Sequence, residues 1–149
     1  MRYDAASKYL MQIAGRAIAD RFLGMDISSI ASLEALPTET FTLRRIDSAK
    51  KLTRKDGSER VLLIEHQTYW ERQLPLRLLE YRTHYCLKYR LPVDTVVFLA
   101  SPNERAQASY QDHEVRYQFQ LIRFWKLPAE ENLDADVRLL PLVPLMRYG

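Results

Sequence analysis

Residues 61–73 read VLLIEHQTYWERQ. Val61, Leu62, Leu63 and Ile64 are continuously apolar, and two of the four are β-branched, the pattern of a short strand buried in a core. No Gly or Pro ends the run before Glu65, His66 and Gln67. A buried strand is therefore expected to carry a carboxylate and an amide at its end. Glu65 and Gln67 are two residues apart, so their side chains leave the strand on the same face. His66 points to the other face and is expected to be a packed or surface histidine rather than a base.

Just upstream, KDGSE (55–59) holds the Asp-Gly pair of a tight hairpin, which makes the flanking segments antiparallel neighbours. A turn centred on residues 56 and 57 pairs 47–53 with 60–66 and brings Asp47 close to Glu65 or Gln67. The upstream arm, TFTLRRIDSAKKLT (40–53), alternates as a strand does, with a face change or bulge at Arg44 and Arg45. Further upstream, IASLEAL (30–36) fits either a strand or a helical turn. Residues 4–23 predict a helix: Asp4 is placed as N-cap, Leu10, Met11, Ala14, Ala17, Ile18 and Phe22 form one apolar stripe, and Gly24 stops it.

Downstream, LRLLEYRTHYCLKY (76–89) follows Pro75 and predicts a second helix. Leu78, Leu79, Tyr85, Cys86 and Tyr89 make its apolar face, while Arg77, Tyr81, His84 and Lys88 form a separate polar stripe. After Pro92, VDTVVFLA (93–100) suits a buried strand, and EVRYQFQLIRFW (114–125) alternates through Val115, Tyr117, Phe119 and Leu121 as one or two more. The order is helix, two or three strands, helix, strand, further strands. That order predicts an α+β domain over residues 1–149 with a mixed central sheet flanked by helices. The apolar stretch LLPLVPLM (139–146) is expected to dock onto the core or a second copy, and the chain to continue past Gly149.

Composition is that of an ordinary globular chain: 149 residues, 47% hydrophobic and 28% charged. The opening residues lack the apolar run of a signal peptide, and no segment approaches the roughly 18 apolar residues of a membrane span, so a cytoplasmic protein is expected. Cys86 is the only cysteine, which excludes an internal disulfide and suits a small core residue. The net charge of +3 is too small to imply a polyanionic partner. Arg44, Arg45, Lys50, Lys51, Arg54 and Lys55 do crowd one segment, as a solvated hairpin rim or as a phosphate-binding surface.

Two carboxylates converging from neighbouring arms repel unless a cation lies between them or one is protonated. A hard divalent ion such as Mg²⁺ suits that position, because it takes one or two carboxylates and fills its remaining sites with water, carbonyl or phosphate oxygens. The backbone carbonyl of His66, beside Glu65, is the third candidate ligand. Such an ion polarises a phosphodiester and acidifies a bound water. The competing expectation is that Asp47 and Glu65 pair with Arg44, Arg45 or Arg60 at a sheet edge. His84 and His113 show no spacing suited to zinc.

RRID (44–47), seventeen residues, then EHQ (65–67), followed by LPLRLLEYRTHY and LPVDTVVFLASP, resembles the recombination-promoting nuclease and transposase family of the PD-(D/E)XK nuclease superfamily. The likeness runs from YDAASKYLM to about residue 145. It implies a restriction-endonuclease-like core of order αβββαβ and an Mg²⁺- or Mn²⁺-dependent DNA endonuclease active in recombination or mobile elements. Residue by residue, it makes Asp47 the motif aspartate, Glu65 the motif glutamate and Gln67 the third position, with Asp4 as an accessory acid. Gln67 departs from the lysine common there, which orients water and offsets developing charge; a glutamine can hold the water but has no charge. In this fold the second helix packs near the catalytic edge, which makes Arg77 and Tyr81, with Arg44, Lys50 and Lys51, candidate phosphate contacts. Tyr69 and Trp70 would stack on a base or clamp the helix start. A homodimer would supply two sites for double-strand cutting. The rival expectation is a non-cutting module of the same fold that binds DNA or a protein.

Overall fold

The computed structural model describes residues 14–33, 46 and 48–128. Asp4, Arg44, Arg45, Asp47 and the 139–149 stretch lie outside the described residues, as do positions 4–13 of the expected first helix. The elements run α1 (Gly15–Leu23), β1 (Ile27–Ser32), β2 (Ser48–Arg54), β3 (Glu59–Gln67), α2 (Leu74–Tyr89), β4 (Val93–Leu99), β5 (Ser109–Gln111), β6 (Arg116–Gln118) and β7 (Gln120–Arg123). A 3₁₀ turn at Phe124–Lys126 follows.

β2 and β3 form the antiparallel hairpin that the Asp-Gly pair predicts, but its loop holds three residues instead of two. The Arg54 N–H donates to the Ser58 carbonyl at 2.8 Å, closing the loop around Lys55, Asp56 and Gly57. Gly57 takes a φ of +86°, and the Asp56 carboxylate accepts both the Ser58 N–H (2.8 Å) and the Ser58 hydroxyl (2.6 Å). The added loop residue shifts the register by one. Ser48 faces Ile64 and Thr53 faces Glu59, whereas a two-residue turn would have set residue 53 against residue 60.

Five strands make one mixed sheet in the order β1-β2-β3-β4-β7. The β1–β2 and β2–β3 pairs are antiparallel, and β3–β4 and β4–β7 are parallel, with α2 as the crossover between β3 and β4. Of the ambiguous segment 30–36, residues 30–32 belong to a strand, β1, through its pairing to β2, and residues 34–36 lie outside the described residues. β5 and β6 form a separate two-stranded hairpin that the sequence reading did not separate out. It turns on Asp112, whose Oδ1 accepts the Glu114 and Val115 N–H groups, each at 2.8 Å.

The four apolar residues that open the decisive stretch divide by parity between two cores. Leu62 and Ile64 face α1, joining Ala14, Ala17, Ile18, Val96, Phe98 and Phe124. Val61 and Leu63 face α2, joining Leu74, Leu78, Tyr81, Tyr85, Val97 and Tyr117. A helix on each side of the sheet is why the strand reads as continuously apolar rather than alternating. Tyr81, expected on the polar stripe of α2, is only 1% exposed and belongs to the core; the helix buries more of its circumference than the stripe allowed. The expected alternation holds over 117–121, where Tyr117, Phe119 and Leu121 all turn to the α2 side, although β6 and β7 break at Phe119; Val115 is exposed and lies outside that face.

Both helices end in left-handed residues. At α1 it is Gly24 (φ 60°), whose N–H reaches the Ala19 carbonyl, the stop expected from the sequence. At α2 it is Arg90 (φ 56°), the one non-glycine with positive φ among the described residues. No helix among the described residues is long and apolar enough to cross a membrane.

Candidate functional site

Glu65 lies near the carboxyl end of β3, paired in parallel with Val97, and is 5% exposed. Gln67, facing Leu99, ends the strand. Their side chains leave the same face as expected: the Gln67 amide Nε2 donates to Glu65 Oε1 at 2.8 Å. The Gln67 and Thr68 carbonyls accept the Ala100 and Ser101 N–H groups at 2.9 and 3.0 Å, so the exits of β3 and β4 are tied together. The chain then turns through residues 68–73 into α2.

Arg77, in the first turns of α2, comes back over the strand end. Its Nη1 donates to Glu71 Oε2 at 2.8 Å, and its Nη2 is 3.8 Å from Glu65 Oε1. Burial alone would lower the guanidinium pKa. The hydrogen bond and charge of Glu71 outweigh that, with smaller contributions from Tyr81 and Glu65, and the net shift is upward. Arg77 is therefore a permanent cation. The assembled cluster is Glu65, Gln67, Arg77 and Glu71, at the carboxyl ends of adjacent parallel strands, where open α/β sheets place their ligand sites.

His66 occupies the opposite face, 4% exposed, its ring 6.5 Å from that of Phe124 in the α1-side core. It is the packed histidine of the two expected alternatives. Its backbone carbonyl has a definite direction. Successive peptide groups of a strand address opposite neighbours, and the Gln67 carbonyl bonds on the β4 side, so the His66 carbonyl faces the β2 side. It does so two residues beyond Ile64, the last β3 residue with a described β2 partner. Asp47, the residue before that partner, lies outside the described residues.

The basic run near the hairpin is largely engaged in pairs. Lys50 is not beside Glu65: it lies on the α1 face, 9% exposed, and donates to the Ser32 hydroxyl at 2.6 Å. Burial lowers its pKa, so it is a poor candidate for an exposed phosphate contact, because strand parity sends residue 50 to the other side of the sheet from Glu65. Lys51 pairs with Glu59 at 3.0 Å, Lys55 with Asp26 at 3.0 Å, and Arg54 lies 3.9 Å from Asp56. Arg60, one of the expected partners of Glu65, instead grips Asp94 through two bonds of 2.6 and 3.1 Å. Trp70 packs into the α2-side core as a clamp, leaving Tyr69 73% exposed.

Glu71 is the member of the cluster that the sequence reading did not single out. It stands six residues before Arg77 with a loop between them, so no helical spacing marks the pair. Among the described residues, no three His, Cys, Asp or Glu side chains group to hold a metal. The donors that do gather near the end of β3 are a carboxylate, a carboxamide and a backbone carbonyl. These hard oxygen ligands suit Mg²⁺ or Mn²⁺ rather than zinc. No family model, curated protein or solved structure matches the chain.

Proposed function

We propose that the chain is a metal-dependent DNA endonuclease domain of the PD-(D/E)XK type, with a restriction-endonuclease-like core, that hydrolyses phosphodiester bonds in recombination or mobile-element biology. The observation that carries this reading is the Glu65–Gln67 pair, joined at 2.8 Å on one face at the end of the central strand. The parallel crossover through α2, which returns Arg77 to the same spot, supports it further.

Asp47 and Glu65 would hold Mg²⁺ or Mn²⁺, with the His66 carbonyl as a third ligand and Asp4 as an accessory acid. The ion, when bound, would acidify a water and polarise the phosphate. Gln67 would hold the attacking water through its amide, and Arg77 would supply the positive charge that a glutamine lacks. Lys51 and Arg44 are the remaining basic residues proposed for the DNA backbone, in a cytoplasmic protein that would cut both strands as a homodimer.

One observation favours a second reading, a non-cutting module of the same fold that binds DNA or a protein. Arg77, 3.8 Å from Glu65, already offsets the carboxylate that a metal would need. Plasmid nicking separates the two. The nuclease reading expects Mg²⁺- or Mn²⁺-dependent relaxation of supercoiled DNA by wild type and none by Glu65→Ala. Equal, metal-independent or absent nicking by both proteins supports the binding module.

A further inference from the structure

We infer that Glu71 is a positioning residue: it draws Arg77 away from Glu65 and thereby sets how tightly the site takes a divalent cation. The inference rests on the metal reading above and extends it to a residue that the reading does not use. Arg77 stands between two carboxylates and divides itself unequally, 2.8 Å from Glu71 and 3.8 Å from Glu65. Charge screening alone predicts the reverse, because the Glu71 side chain is 42% exposed and that of Glu65 only 7%.

Backbone geometry decides it. The Leu74 N–H bonds to the Glu71 carbonyl at 3.0 Å and the Arg77 N–H to the Gln73 carbonyl at 3.1 Å. The turn into α2 thus holds Glu71 and Arg77 in register with each other. From the other side, the Gln67 amide holds Glu65 Oε1 and restrains that carboxylate from swinging onto the guanidinium. The result is a resident cation parked one ångström short of full contact with the proposed metal ligand. A divalent ion at Glu65 would be repelled by Arg77, and the repulsion grows as Arg77 moves closer.

Inorganic Mn²⁺ is the probe, titrated calorimetrically into the full chain at fixed pH and ionic strength, with thermal melts confirming that each variant folds. Arg77→Met should tighten Mn²⁺ binding by about tenfold or more, since one repelling charge is gone. Arg77→Lys keeps the charge and should stay within about threefold of wild type. Glu71→Gln should weaken binding by about tenfold, through release of Arg77 onto Glu65. In the Arg77→Met background, the effect of Glu71→Gln should shrink to about threefold or less, because the charge that Glu71 holds off Glu65 is gone. Glu71→Gln alters an exposed side chain and carries the test by itself if Arg77→Met does not fold. Equal Mn²⁺ affinity in wild type and all variants overturns the inference and leaves the metal reading standing. An undiminished Glu71→Gln effect in the Arg77→Met background overturns the positioning role. Failure of every protein to bind Mn²⁺ overturns both.

Discussion

Gln67 touches Glu65 through a single hydrogen bond of 2.8 Å, and what replaces it decides what the site becomes. In the proposed nuclease, Gln67→Lys restores a charge beside the developing transition-state charge and should keep or raise Mg²⁺-dependent cleavage. Gln67→Ala should lose about 10²–10³ in rate, the usual scale for one aligned donor. Initial nicking rates at saturating metal check both. Lys50 makes a separate prediction. Burial lowers its pKa below the ordinary 10.5, so the folded chain releases this proton before the unfolded chain does. Stability therefore rises with pH between the lowered folded value and the unfolded one, and below that window the buried charge is a cost. Lys50→Met should raise the melting temperature at pH 7, and its advantage should shrink as the pH climbs toward 10.5, read by thermal melts across that range. Glu65 and Gln67 were legible because strand alternation alone puts them on one face. Lys50 was not, since its face depends on the hairpin register and on α1 lying close over β2.

At the scale of elements, the hairpin and the helix ends carry the sharpest tests. Gly57 sits at φ +86° in the three-residue loop, so Gly57→Ala should destabilise the protein by about 1–2 kcal/mol in denaturant unfolding. Arg90 takes φ 56° at the end of α2 with a side chain that opposes it. Arg90→Gly relieves that strain and should stabilise by about 0.5–1 kcal/mol, after the greater unfolded-state freedom of glycine is offset. The Asp-Gly pair announced a hairpin, but the pair alone does not distinguish a two-residue loop from a three-residue one. Ser58 makes the difference: by donating twice to Asp56 it stabilises the longer loop and moves the register by one. β1 stayed ambiguous between a strand and a helical turn for another reason. Among the described residues it is an outermost strand of the sheet, with most side chains exposed, and its pairing with β2 is what makes it a strand.

Across the whole molecule, the mixed sheet with a helix on each side followed from element order, because a hairpin leading into a strand–helix–strand crossover leaves few topologies. The Arg77–Glu71 pairing did not follow, since a loop separates the two residues and no period connects them. The topology brings the ends of β3 and β4 and the start of α2 together, and the proposed function requires that meeting point to be a metal-dependent active site. Glu65→Gln tests it most directly: it keeps the size of the side chain and an oxygen to accept from Gln67, and removes only the charge. The measurement is Mn²⁺-dependent relaxation of supercoiled plasmid by wild type and Glu65→Gln, with melts confirming that both are folded. Wild type should cleave and the folded variant should not; cleavage that survives Glu65→Gln, or its absence from folded wild type in both Mg²⁺ and Mn²⁺, rules out a metal-dependent active site at Glu65.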